Sequence, residues 1–321
     1  MTLYLYILVF LGSCALLFWS GKIMIAALVR VARYLGWREF VVAFILIAIG
    51  ASVPNFFLGI TSAIHRIPQL AFADIVGGNL VDLTIAVALA ALLAKGLPAG
   101  SKMVQTSAVF TMFIAILPLL LIIDGTLSRG DGIALILTFF LYLFWLFSKK
   151  ERFTKIYDGK GIPIFKQSKI FIKDLGRMAT GLFLLLIAAE GMVRAAHFFS
   201  ENLNLSLPLI GILVVGLGNA IPETYFAIIA ARRAHNWMIL GDLMGSVISA
   251  ATLVLGIVAL ICPIEIADSS PFAIARLFLI IAALFFLFFV RTERKITTKE
   301  ALFLLGLYLV FFLVEVLTEL W

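Results

Sequence analysis

The chain has 321 residues, of which 63% are hydrophobic and 13% charged, with a mean hydropathy of +1.15 and a formal net charge of +7. No soluble core needs that much apolar surface, so the solvent for most of this protein is lipid. The excess of basic residues therefore reads as a topology signal rather than a nucleic-acid surface, and the two cysteines, Cys14 and Cys262, imply no disulfide framework.

Taken in order, apolar runs long enough to cross about 30 Å of hydrocarbon lie near 3–29, 40–64, 70–94, 104–123 and 132–148. Five more lie near 178–200, 206–231, 237–262, 271–290 and 300–318. Leu11-Gly12-Ser13-Cys14 looks like a lipoprotein processing site, but no basic residue precedes it and the apolar run continues past it. The first run therefore reads as a retained span. The expected fold class is an all-α integral membrane protein of ten transmembrane helices. Residues 1–148 form the first five-helix repeat, 149–177 a basic linker and 178–321 the second repeat.

The linker contains Lys149, Lys150, Arg152, Lys155, Lys160, Lys166, Lys169, Lys173 and Arg177. Placing it in the cytoplasm puts most of the 25 basic residues on the inside and both termini outside, in an inner or plasma membrane. Each half holds five spans, an odd number, so the second half is expected to be inverted relative to the first. Inverted halves are a common build of secondary transporters, which alternate access about a site at the interface of the halves.

Two stretches carry the chemistry. Gly50-Ala51-Ser52-Val53-Pro54-Asn55 and Gly218-Asn219-Ala220-Ile221-Pro222-Glu223 each place a proline inside an apolar run, and the two prolines lie 168 positions apart. The same offset carries Asp74 onto Asp242, Gly77 onto Gly245 and Thr84 onto Thr252, so the halves are repeats. Each proline removes a backbone donor and breaks its helix, and the freed carbonyls near Ile49–Ala51 and Leu217–Asn219 must line a protein cavity or meet a cation. Ser52, Asn55, Asn219 and Glu223 stand beside these breaks, with Thr61 and Thr224 nearby. All are hard oxygen or amide ligands suited to Na⁺, Ca²⁺ or Mg²⁺. The bland alternative is a pair of packing kinks.

Five carboxylates fall within spans: Asp74, Asp82, Glu190, Glu223 and Asp242. A carboxylate in lipid is costly unless paired or protonated, so each is a functional candidate. Glu223 ranks first and Asp82 second, because they lie deepest beside the breaks. Asp74 and Asp242 sit nearer span ends, where solvation or a helix N-terminus accounts for them cheaply. Glu190 is four residues from Arg194 and reads as either a structural ion pair or a functional group. Lys22 either partners a carboxylate or snorkels outward. Gly77-Gly78 allows close helix approach. His65, His197 and His235 fall at span ends with no metal-ligand spacing, and no nucleophile has a base beside it, so an enzyme is not expected.

At these residues the chain resembles the cation/calcium exchanger superfamily, in particular the prokaryotic sodium/calcium exchangers. Their two repeats carry a Gly-Thr-Ser-Leu-Pro-Glu stretch followed, in the next span, by a Gly-Ser-Asn-rich stretch. Here these stand as 50–55 with Gly77-Gly78-Asn79, and as 218–223 with Gly245-Ser246. The lead-in stretches from Ser20-Gly21 and from Glu190-Gly191 are also similar to the family's. The resemblance implies a secondary active cation antiporter without cofactors, whose substrates and partners are inorganic cations, exchanging Ca²⁺ or another divalent cation for Na⁺ or H⁺. The implied ligand set is Glu223, Asp82, Asn55, Ser52, Asn219, Ser246, Ala51 and Gly218.

Departures from the family pattern sit at the ligands. The paired glutamates become Asn55 and Glu223, and the threonines after glycine become Ala51 and Asn219. Of the serines that follow, Ser52 remains and Ala220 does not. In the third and eighth spans the serine and the amide or carboxylate four residues later become Gly78 with Asp82, and Ser246 with Ala250. With fewer ligands, fewer coupling ions are expected, or protons carried on Glu223 or Asp82. Two other readings stay open: a relative with altered cargo such as a monovalent cation, and a transport-inactive membrane scaffold or sensor.

Overall fold

The computed structural model describes residues 2–34, 52–148, 164–232, 236–266 and 270–320. Its helices are α1 (Thr2–Tyr34), α2 (Val53–Ile64), α3 (Pro68–Leu93), α4 (Lys102–Leu121) and α5 (Arg129–Ser148), then α6 (Ile164–Leu203), α7 (Leu207–Arg232), α8 (236–261), α9 (Ser270–Arg291) and α10 (Thr298–Leu320). Among the described residues nine helices are long and apolar enough to cross a membrane. The remaining one, α2, spans 12 residues, and the first part of the run expected at 40–64 lies outside the described residues. The chain is an all-α membrane protein whose only strands, among the described residues, are two-residue clips at helix ends.

The helix boundaries follow local chemistry. Pro68 and Pro54 stand in the first turns of α3 and α2, where a missing N–H costs nothing. Ser128 and Asp131 cap α5 reciprocally: the Ser128 amide donates to Asp131 at 2.8 Å and the Asp131 amide to the Ser128 hydroxyl at 3.2 Å. Thr297 and Glu300 repeat the device on α10, at 2.7 and 3.3 Å. One boundary departs from expectation. The later part of the 149–177 segment is not loop, because α6 begins at Ile164, well before the expected 178.

α1 and α6 lie against each other antiparallel. Tyr6 stacks on Phe198 with ring centroids 3.8 Å apart, and Arg30 at the other end binds Asp174 at 3.0 Å. Between them, Gly191 makes room for Ser13 and Gly181 for Met24. The remaining helices pack crosswise between the halves. The clip after α3, Leu97–Pro98, pairs with Lys295–Ile296 before α10, and Thr126–Leu127 before α5 pairs with Ile264–Glu265 after α8. Accordingly α10 packs on the C-terminal part of α3, and α5 on that of α8. At the centre α3 meets α7 almost backbone to backbone, since a Cβ on Gly77 would stand 2.2 Å from the Ile212 carbonyl oxygen.

Candidate cation site

The polar residues meet where α2, α3, α7 and α8 converge. α7 is interrupted as the sequence requires. Its helix stops at Asn219, Ala220 forms a turn, and a new helix starts at Ile221 with Pro222 in its first turn. Pro222 has no N–H to offer the Gly218 carbonyl, so that oxygen loses its ordinary helical donor. α2 begins in the same way at Val53, after Ser52. α3 and α8 each widen into one π-helical turn, at Asp82–Ala86 and Ala250–Val254, positions again related by the 168 offset. Such turns recur at functional sites because they re-aim side chains without ending the helix.

One cavity results, lined by Asn55, Asp74, Ile75, Gly78, Asn79, Asp82, Asn219, Ala220, Glu223 and Ser246. The spacing explains the membership: 74, 75, 78, 79 and 82 share one face of α3, and 219, 220 and 223 one face of α7. The space open to the centre of a water-sized body is about 10 Å³, room for one such body. Among the described residues three of those on the wall are carboxylates and none is basic. Asp74, Asp82 and Glu223 are 1%, 3% and 7% exposed. The Asn219 amide nitrogen donates to both oxygens of Asp74, at 3.0 and 3.2 Å, and to Oδ1 of Asn55. Ser246 faces the Asp82 carboxylate. Asp82 Oδ1, Glu223 Oε2 and Asn219 Oδ1 are buried and have no hydrogen-bond partner among the described residues. Three orphaned acceptors around one small cavity are costly for a protein alone and suit an incoming cation.

Of the residues expected from sequence, Glu223, Asp82, Asn55, Asn219 and Ser246 come together here. Ser52 lies beside the cavity rather than on its wall, its hydroxyl bonded to that of Ser249. Gly218 is also off the wall; a Cβ there would stand 2.9 Å from Cys14 Sγ and 3.0 Å from Phe10, so its smallness lets α1 approach. Ala51 lies outside the described residues. Two residues outside the expected ligand set also stand on the wall: Asp74, a candidate carboxylate ranked below Glu223 and Asp82, and Asn79 of the Gly77-Gly78-Asn79 stretch. Among the described residues no three His, Cys, Asp or Glu side chains are grouped tightly enough to hold a metal ion by themselves. A cation in this cavity therefore draws on amides, hydroxyls and carbonyls as well as carboxylates, the donor mix of hard cations.

Three further candidates sit elsewhere. Glu190 accepts from Arg194 Nε at 2.5 Å and pairs with His65 Nε2 at 2.7 Å, at the exposed end of α2. Lys22 is exposed, its Nζ 3.7 Å from the centre of the Phe18 ring. Thr61 is buried on α2, away from the cavity wall.

Known proteins match this chain along its length. The profile of the family described as "Sodium/calcium exchanger protein" matches twice, at residues 5–148 and 174–317. The sodium/calcium exchanger MaX1 of Methanosarcina acetivorans is 25% identical over 88% of this chain and 91% of its own length. The inner membrane protein YrbG of Escherichia coli is 22% identical over 84% and 82%. Among solved structures, the sodium-calcium exchanger NCX_Mj superposes with a TM-score of 0.64 at 23% identity, covering 96% of this chain and 98% of the other, and so shares its fold.

Proposed function

Because this chain belongs to the sodium/calcium exchanger protein family, a family of cation transporters, we propose that it exchanges Ca²⁺ or another divalent cation for Na⁺ or H⁺ by alternating access. The observation that carries the reading is the cavity wall: three buried carboxylates, amide and hydroxyl oxygens, and no basic side chain among the described residues. Transported cations are the substrates, held by Glu223, Asp82, Ser246 and the Asn219 side-chain carbonyl oxygen, while Asp74 and Asn55 complete the wall through the Asn219 amide nitrogen. Ser52 supports the wall through Ser249. An empty site leaves buried carboxylates without a counter-charge and crosses the membrane poorly. That penalty couples the movement of one ion to that of another.

The architecture of this reading is ten spans in two inverted halves, 1–148 and 178–321, joined by the 149–177 segment. The antiparallel α1 and α6, and the crosswise pairing of clips and outer helices, support inversion. The basic side chains of the connecting segment favour the cytoplasm for it and the outside for both termini. α1 and α6 slide as a pair across the remaining bundle and expose the cavity to each side in turn.

The test is uptake of radiolabelled calcium into proteoliposomes loaded with Na⁺ or poised with a pH gradient, with the parent and Glu223→Gln side by side. Removing one unit charge about 4 Å from a cation costs about 4 kcal/mol at an effective dielectric near 20. Uptake in Glu223→Gln is therefore expected to fall by at least about tenfold. Equal uptake by the two proteins sinks the site. Absence of uptake by the parent under either gradient moves the reading to monovalent cargo, tested with Na⁺ and K⁺ in the same vesicles.

A further inference from the structure

Asn219 makes contacts that an ordinary hydrogen-bonding amide does not. Its nitrogen carries two protons but faces three oxygens, both of Asp74 and Oδ1 of Asn55. In this orientation the amide nitrogen, not the amide oxygen, faces both oxygens of Asp74. Surrounded by more acceptors than it has protons, the nitrogen occupies what is in form a cation cradle: a carboxylate presented through both oxygens and closed by an amide carbonyl, both from the half of the chain that does not contain Asn219. Its own Oδ1 is buried and has no partner among the described residues.

We propose that the Asn219 side chain stands in for one monovalent cation, so that this protein completes its loaded site with one counter-ion fewer than the same cavity would take without the amide. The inference rests on the cation-site reading above and adds a specificity-determining role. The tethered nitrogen satisfies Asp74 and Asn55 in every state of the cycle, and those three oxygens are thereby withdrawn from ion binding. A side chain too short to reach them would return them to solution cations. Asp74 is the essential partner, since it supplies two of the three oxygens in the cradle.

The experiment counts bound ions in the purified full-length protein, using equilibrium binding of radiolabelled Na⁺ and, separately, Ca²⁺. Parent, Asn219→Ser, Asn219→Thr and the double variant Asn219→Ser with Asp74→Asn are compared, each first checked for a parent-like thermal unfolding transition. The expected result is one more Na⁺ per protein at saturation in Asn219→Ser, or in Asn219→Thr where the serine variant unfolds, and loss of that gain in the double variant. An unchanged count in both single variants, or an extra ion that persists without Asp74, overturns the inference while leaving the cation site intact. If neither parent nor single variants bind Na⁺ or Ca²⁺, the site reading itself fails and the inference falls with it.

Discussion

Asp74 and Asp82 lie on one face of α3, and only Asp82 stood out from sequence as a site residue. The reason is local. Asp74 follows Pro68 by less than two turns, so its neighbourhood in the chain looks like a solvated helix start. What buries it is Asn219, from the other half of the molecule, and no short-range pattern reports that contact. Glu223, Asn55 and Asn219 were legible because each adjoins a proline that forces the backbone to break. Glu190 was half legible: its Arg194 partner is four residues on, whereas His65 arrives from a different helix. The Asp74 contact makes a stability prediction. Asp74→Ala strips the Asn219 amide of two acceptors in a buried setting and is expected to destabilise the protein by about 1–3 kcal/mol. Asp74→Asn keeps one carbonyl acceptor there and should cost less. Thermal unfolding in detergent ranks the two, and an alanine variant as stable as the parent refutes the contact.

Among the elements, the proline breaks were readable and the π turns were not. A proline is a covalent fact, while a π turn shifts the hydrogen-bond ladder by one residue inside an apolar run whose composition does not change. The later part of the 149–177 segment escaped for a related reason: its lysines mark the edge of the lipid, but the helix continues past that edge. Close packing of α3 on α7 was foreshadowed by Gly77-Gly78, yet the two glycines are not equivalent. A methyl group on Gly77 would stand 2.2 Å from the Ile212 carbonyl oxygen, whereas on Gly78 its nearest neighbour would be the Gly216 oxygen at 3.8 Å. Gly77→Ala must push two central helices apart and is expected to cost about 1–3 kcal/mol or more. Gly78→Ala should be nearly neutral, and Gly12→Ala on α1, where nothing lies within 4 Å, serves as a second control. The yield of folded protein and its unfolding temperature distinguish the three. Similar losses at Gly77 and Gly78 would contradict the packing described.

At the scale of the whole molecule, the 168 offset in the sequence announces two copies of one unit, and the crosswise clips and helices are what a two-fold relation between the copies would produce. The offset alone cannot say which helices move. α1 packs most extensively on α6, although both also touch the bundle. α1 and α6 are joined to each other along their length, by the Tyr6–Phe198 stack at one end and the Arg30–Asp174 pair at the other. A polar tie from this pair to the remaining bundle is the one between Glu190 on α6 and His65 at the end of α2. If the pair slides as one body, a covalent link within it is harmless, and a link from it to the bundle stops the cycle. In a background with Cys14→Ala and Cys262→Ala, a link between Tyr6→Cys and Phe198→Cys is expected to leave gradient-driven cation flux near the uncrosslinked level. A link between His65→Cys and Glu190→Cys should abolish it and release it again on reduction. Flux that survives the second link would mean that α6 does not move against α2, and access to the cavity would then have to come from within the bundle, where the break at Ala220 is the place the backbone can bend.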